Sequence, residues 1–238
     1  VTSTLRGLAR SRTARFGVIV AALAISLSAC LPAAPAPAPA PAPALDTSTP
    51  LAAPAWWSGH CDSGNYVGAK ALGASYRGVE VCGPRPGADH AANRLVNFFP
   101  GAWGELEWQC VELSMRFMYL AYGVSPYGAN GKDVYDNYSS ADGGGLVKIA
   151  NGTAGSAPVP GDVISFGATA TSALGHTGVI ESANVDGSGT GTIRILSQND
   201  TTDGWRTLTV TKWSVNGPAV GLGAVSGWLH SPTPAPTP

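Results

Sequence analysis

Trp108-Gln109-Cys110-Val111-Glu112-Leu113 opens the stretch that decides the fold, and Gly175-His176-Thr177-Gly178-Val179-Ile180 answers it far along the chain. From Gln109 to Tyr122 the apolar residues Val111, Met115, Phe117, Met118 and Ala121 recur near helical spacing, and no proline interrupts them. Gly123 stands where a helix stop belongs. The spacing predicts a helix over 109–122 with Cys110 in its first turn. There the first backbone N–H groups lack intrahelical acceptors, and the positive end of the helix dipole favours a thiolate. A buried apolar cysteine at the head of a core helix fits the same segment, and the segment alone leaves both readings open.

The second stretch adds geometry. Pro160-Gly161 is a turn signal, Asp162–Phe166 reads as a short strand, and His176–Ala183 and Thr192–Asn199 read as two more. Asp186-Gly187-Ser188-Gly189 is a hairpin tip between the last two. A hairpin centred between Gly187 and Ser188 sets Ile180 opposite Ile195, Glu181 opposite Arg194, Gly178 opposite Ser197 and His176 opposite Asn199. Directly opposed residues bring their Cβ atoms to about 5 Å on one face, close enough for Asn199 to orient the His176 ring. Glu181 is a poorer orienter, being on the other face of the strand and matched to Arg194. A one-residue shift of the turn would undo the pairing.

Composition bounds the rest. Residues 1–29 carry Arg6, Arg10, Arg12 and Arg15 ahead of an apolar run from Phe16 to Ala29, the layout of a secretion signal. The run ends at Leu27-Ser28-Ala29-Cys30, which resembles the bacterial lipobox. That reading puts a lipid on Cys30 and anchors the mature chain to a membrane; small residues before an ordinary cleavage site are the alternative. Residues 30–55 are an Ala/Pro-rich linker, extended and polyproline-like, and 231–238 a second proline-rich tail. Between them, 56–230 suits one domain. Removing the signal takes four of the 14 basic side chains and none of the 15 acidic ones, leaving 10 against 15. No basic stripe with interleaved aromatics remains, which argues against nucleic-acid binding, and no polybasic patch for a membrane or wall polymer.

The four cysteines sort by compartment. With Cys30 lipidated, Cys61, Cys82 and Cys110 remain in a disulfide-permissive setting. Cys61 and Cys82 flank a Gly-rich segment with little periodicity and are read as a disulfide, worth roughly 3 kcal/mol for a loop of that size. His60 and His90 lie near them, but the spacing fits no usual structural zinc pattern. Cys110 is the odd cysteine, and no metal or cofactor is expected.

Together Trp108–Tyr122, Pro160-Gly161-Asp162-Val163-Ile164, Gly175–Ile180 and Ser197-Gln198-Asn199 resemble the CHAP family, the cysteine, histidine-dependent amidohydrolases/peptidases of the papain-like superfamily. The resemblance spans about 93–213. It implies an α+β fold in which the nucleophile helix packs on a central antiparallel sheet. By the same resemblance Cys110 is the nucleophile, His176 the general base, Gln109 the side-chain donor of the oxyanion hole and Asn199 the later polar member. Many family members carry an acidic residue where this chain has Ser197, and Asp200 follows where an aromatic is common.

Other polar and aromatic residues have plainer readings. Glu112 points around the helix from Cys110, in a solvated or structural role. Asp162 caps its turn. His60, His90 and His230 are surface or satisfied structural residues. Trp103, Trp108 and Trp205 line a groove or the core, and Asp142–Gly145 is a loop without a P-loop lysine. An exported amide hydrolase meets peptidoglycan, so the expected activity is a cell-wall amidase or endopeptidase. The Glu-Trp-Gln-Cys-Val-Glu-Leu run is also similar to the amidase domain of glutathionylspermidine synthetase/amidase, whose substrate is cytosolic. A catalytically silent wall-binding lipoprotein is the third reading, motivated by Ser197.

Overall fold

In the computed structural model the described residues are 53, 57–61, 69–84, 95–96 and 105–233. The signal 1–29, Cys30, all but one residue of the linker, His90, Trp103 and the last five residues of the tail lie outside them. In chain order the elements are β1 (Ala69–Tyr76), β2 (Val79–Pro84), β3 (Leu95–Val96), β4 (Glu105–Leu106), α1 (Cys110–Tyr122), α2 (Val134–Asn137) and β5 (Val147–Ala150). There follow β6 (Val163–Phe166), β7 (His176–Val185), β8 (Gly191–Leu196), β9 (Trp205–Thr211), β10 (Ser214–Val215) and β11 (Val225–His230). The fold is α+β and mostly sheet. Seven antiparallel strands run in the order β10-β9-β8-β7-β6-β11-β5, so the last strand returns to sit between β5 and β6.

The centre of the sheet, around β6, the start of β7 and the end of β11, is buried on both faces, with alternate residues entering two cores. Val163, Val179, Leu196 and Leu229 enter one apolar cluster with the residues of α1. Their neighbours Ile164, Ile180, Ile195 and Trp228 enter a second cluster, built largely by the curled sheet itself. This explains why β6 is apolar at nearly every position: each face has a core to meet.

The helix runs one residue shorter than its sequence pattern, with Gln109 as its extended N-cap. It ends at Gly123 in the left-handed region (φ 70°), whose N–H bonds Tyr119 O while that of Val124 bonds Met118 O. That pairing is a Schellman stop, and it needs a residue that tolerates positive φ.

Two register expectations meet different fates. Ile180 pairs with Ile195 as the hairpin reading requires, but a bulge follows, so Ser182 is the register partner of Arg194. Both Glu181 and Ser182 therefore stand against one residue of β8, and Glu181 still forms its two-pronged ion pair with Arg194 at 2.9 and 3.1 Å. Beyond the bulge the register is shifted by one residue, and the tip is a loop over 186–190 centred on Ser188. There the Asp186 carboxylate accepts the Ser188 and Thr190 N–H groups. The expected pairing of His176 with Asn199 does not form: β8 ends at Leu196, and Asn199 adopts φ 57°, which turns the chain out of the strand.

Before the helix, β1 and β2 make a hairpin turned at Arg77-Gly78, closed by the Cys61–Cys82 disulfide with Cα atoms 5.5 Å apart. Cys110 lies outside that disulfide.

Candidate active site

The site grows from the start of α1. Gln109 donates its N–H to Leu106 O at 3.3 Å, and Trp108 between them holds φ 43°, a backbone region that costs a bulky residue about 1–3 kcal/mol. Burial of the indole keeps it there. The turn delivers Cys110 as the first helical residue, buried except for 8% of its surface. One turn further, Ser114 Oγ and Thr177 Oγ1 are hydrogen-bonded at 3.1 Å. The same contact lies about 6 Å of helix rise from Cys110 and one residue from His176, so it ties the two segments at their starts.

His176 is set by close packing of backbone. Gly175 precedes it at φ 66°, and a Cβ there would stand 2.3 Å from Phe166 O. On the other side the turn Gly131–Asp133 presses against the strand: a Cβ on Gly131 would lie 2.7–2.9 Å from the backbone N, Cα and C of His176. Gly131→Ala should therefore displace the imidazole. The expected cost is about 1–3 kcal/mol of stability and on the order of a hundredfold in turnover. Activity and urea midpoint measured on the same preparation check both.

The loop after β8 joins the pieces. Asn199 Nδ2 donates to Gln109 Oε1 at 3.0 Å, and Gln198 Nε2 donates to Gln109 O at 2.9 Å and to Glu112 Oε2 at 2.8 Å. Gln198 Oε1 accepts the Cys82 N–H at 2.8 Å and an Arg116 N–H at 3.2 Å. Arg116 in turn grips Glu112 (2.7 and 3.2 Å) and donates to Glu80 O at 2.9 Å. A buried polar network thus fastens the helix head, the disulfide hairpin and the 197–200 loop together. Glu112 is structural as expected, but it is buried inside this network and not solvated.

The next residue of the loop, Asp200, faces the ring. Its Oδ2 is 4.0 Å from His176 Nε2 and accepts from Arg206 Nε at 2.6 Å and from Ser197 Oγ at 3.2 Å. A second Arg206 nitrogen binds Oδ1. Burial would raise the Asp200 pKa, but the Arg206 guanidinium holds it below the usual carboxylate range. Burial lowers the His176 pKa to about 4, outweighing the pull of Asp200, so the imidazole is neutral near pH 7.

The low pKa has a stability consequence of definite sign. Between pH 6.5 and 4 the unfolded chain binds a proton at His176 that the folded chain refuses. Stability is full above 6.5 and falls as the pH drops toward 4. From pH 7 to 4.5 the loss should be about 2 kcal/mol greater in the native chain than in His176→Gln, read from urea midpoints.

Next to Gln109, Asn199 and Asp200 opens a groove of about 390 Å³, lined also by Lys70, Leu72 and Pro84 of the β1–β2 hairpin and by Trp108. Trp205 instead lies under the Arg194 guanidinium, 4.3 Å from its ring centre. Asp162 caps its turn through the Val159 N–H (2.9 Å) and also bonds His230 Nδ1 at 2.8 Å, which raises the His230 pKa. His60 Nδ1 sits 3.2 Å from Glu80.

Of the residues singled out from sequence, Gln109, Cys110 and Asn199 share one corner, joined to the His176 strand through Ser114 and Thr177. Asn199 bonds Gln109; the group facing the His176 ring is Asp200. Sequence reasoning missed Asp200 and Arg206, and the one signal was the acidic residue standing directly after Ser197-Gln198-Asn199.

Residues 101–199 match the family model of the CHAP domain. The match identifies residues 101–199 as similar to a CHAP domain, which suggests a cysteine, histidine-dependent amidohydrolase or peptidase. No curated protein matches the chain.

Proposed function

We propose that the chain is an exported cysteine amidohydrolase or endopeptidase that cleaves amide bonds in peptidoglycan, with Cys110 as nucleophile and His176 as base. The observation that carries this reading is the convergence of the two segments: a helix beginning at Cys110 is hydrogen-bonded, one turn in, to a strand beginning at His176. The nucleophile helix thus packs on the antiparallel sheet. The neutral imidazole takes the Cys110 proton as sulfur attacks the scissile carbonyl. The resulting oxyanion is held by the Gln109 amide and the Cys110 N–H. Asn199, bound to Gln109 Oε1, holds that amide so that its nitrogen end is presented. His176 then gives its proton to the leaving amine, leaving a thioester. Water, deprotonated by His176, attacks the thioester; the acid departs and the thiol is restored.

The bond to be cut lies along the groove beside Gln109, whose volume of about 390 Å³ is in the range of small ligand sites. The leader and Cys30 support delivery outside the cell on a lipid anchor, with the Ala/Pro linker as spacer. The same leader argues against a cytosolic glutathionylspermidine substrate. Incubation of the purified chain with peptidoglycan, with the soluble fragments identified by mass, tests the reading. New amine and carboxyl ends at one defined amide bond are expected. No new ends on walls of several crosslink types would contradict it and favour a silent wall-binding protein.

A further inference from the structure

The His176 ring faces a carboxylate, that of Asp200, which Ser197 also binds. We propose that Asp200 positions His176: its carboxylate accepts the ring's Nε2–H and fixes the tautomer whose Nδ1 serves as base toward Cys110. This rests on the Cys110–His176 reading above. Asp200 lies one residue past the segment that the family model matches.

Four observations lead there. His176 Nε2 is buried and makes no hydrogen bond to any described residue, a situation that costs about 1–3 kcal/mol unless a partner closes on it. Asp200 Oδ2, itself buried, stands 4.0 Å away, and such bonds are often long in a ligand-free site and tighten when substrate fills it. Among the described residues, the neighbours that can be named do not compete as acceptors for Nε2. Phe166 on β6 presents a ring, at 6.1 Å between centroids, and Gly131 presents backbone. Lys132 on the same turn has its ammonium on Asp133 at 2.8 Å, and Arg206 on β9 is a donor engaged by Asp200.

The fourth observation is the way the carboxylate is aimed. Arg206 binds both of its oxygens and is itself anchored to Val220 O at 2.9 Å, while Ser197 Oγ donates to Oδ2. Ser197 thus serves as a hydrogen-bond donor to the acid three positions on. The left-handed turn at Asn199 swings Asp200 inward to take that role. Because Arg206 offsets its charge, Asp200 orients the imidazole more than it raises its basicity, in keeping with the neutral ring.

Asp200→Asn is the test. Arg206 holds an oxygen at the Oδ1 position, so the new amide keeps its oxygen there and, at the expense of the Arg206 Nε bond, places its nitrogen at the Oδ2 position, where Ser197 Oγ turns to accept one N–H and the ring meets the other. Nε2 must then accept, the proton moves to Nδ1, and the base toward Cys110 is lost. Turnover should fall about a thousandfold with KM changed by less than about threefold. Long-range ¹H–¹⁵N spectra at pH 7 should show Nε2–H in the native chain and Nδ1–H in the variant, and Asp200→Glu should retain the native tautomer. A native chain in the Nδ1–H form overturns the proposal without any variant. So does a folded Asp200→Asn protein with the native tautomer, whatever its activity or melting temperature. The spectra do not depend on turnover, so a chain without Cys110-dependent hydrolysis would defeat the functional reading while the tautomer still decides the role of Asp200.

Discussion

Cys110→Ala should leave a folded chain with no turnover above background, a loss on the order of 10³-fold or more in kcat. The fold is expected to survive because the bonds fixing the helix head run through Gln109, Ser114, Glu112 and Arg116. The sulfur is a small part of a large core. His176→Ala should lose a comparable factor. The informative variant is the double: if thiol and imidazole act as one unit, Cys110→Ala/His176→Ala is no worse than either alone. Rates of fragment release for the three variants, with melting temperatures alongside, check this. Multiplicative losses would show two independent contributions.

The second large effect is on stability. Arg116→Met removes a fully buried cation from Glu112, Glu80 O and Gln198, and from the face of Trp57 5.0 Å away. Glu112 would lose its buried cation while keeping its bond from Gln198, and breaking a buried ion pair by removing one partner costs about 3–5 kcal/mol. Glu112→Leu/Arg116→Met should recover most of that, since replacing both charges by apolar groups of similar volume is often near neutral. Urea midpoints at unchanged slope measure both. Because Gln198 spans Gln109 and Cys82, the single variant should also loosen the helix head and lower turnover, whereas the double variant isolates how much the network contributes to catalysis.

What could be read from sequence followed local pattern. Helix α1 was legible to within one residue because its apolar spacing and Gly123 are short-range signals. The Ile180–Ile195 pairing was legible because a hairpin fixes register from its turn. The bulge after Ile180 was not, since nothing in Glu181-Ser182 distinguishes a bulged pair from a regular one. Nor was the insertion of β11 between β5 and β6, which depends on partners far apart in the chain. The β1–β2 hairpin hid behind its glycines and uneven burial; it is held by the disulfide and by polar bonds to Arg116 and Gln198 as much as by an apolar face. Asp200 escaped because the strand pattern was extended through Asn199. One left-handed residue ends the alternation there and exchanges which side chain meets the ring. Glu112 read as a solvated or structural residue, and its burial with Arg116 was hidden because the partners that satisfy the pair come from β2 and the loop after β8.

The central claim is that Cys110 performs the bond cleavage, and titrating its modification against activity tests it most directly. Iodoacetamide is added in steps, the fraction of Cys110 alkylated is read by peptide mass, and peptidoglycan fragment release is measured at each step. The account predicts that activity falls in proportion and reaches zero at full modification. Fragment release that persists when Cys110 is completely alkylated would contradict it.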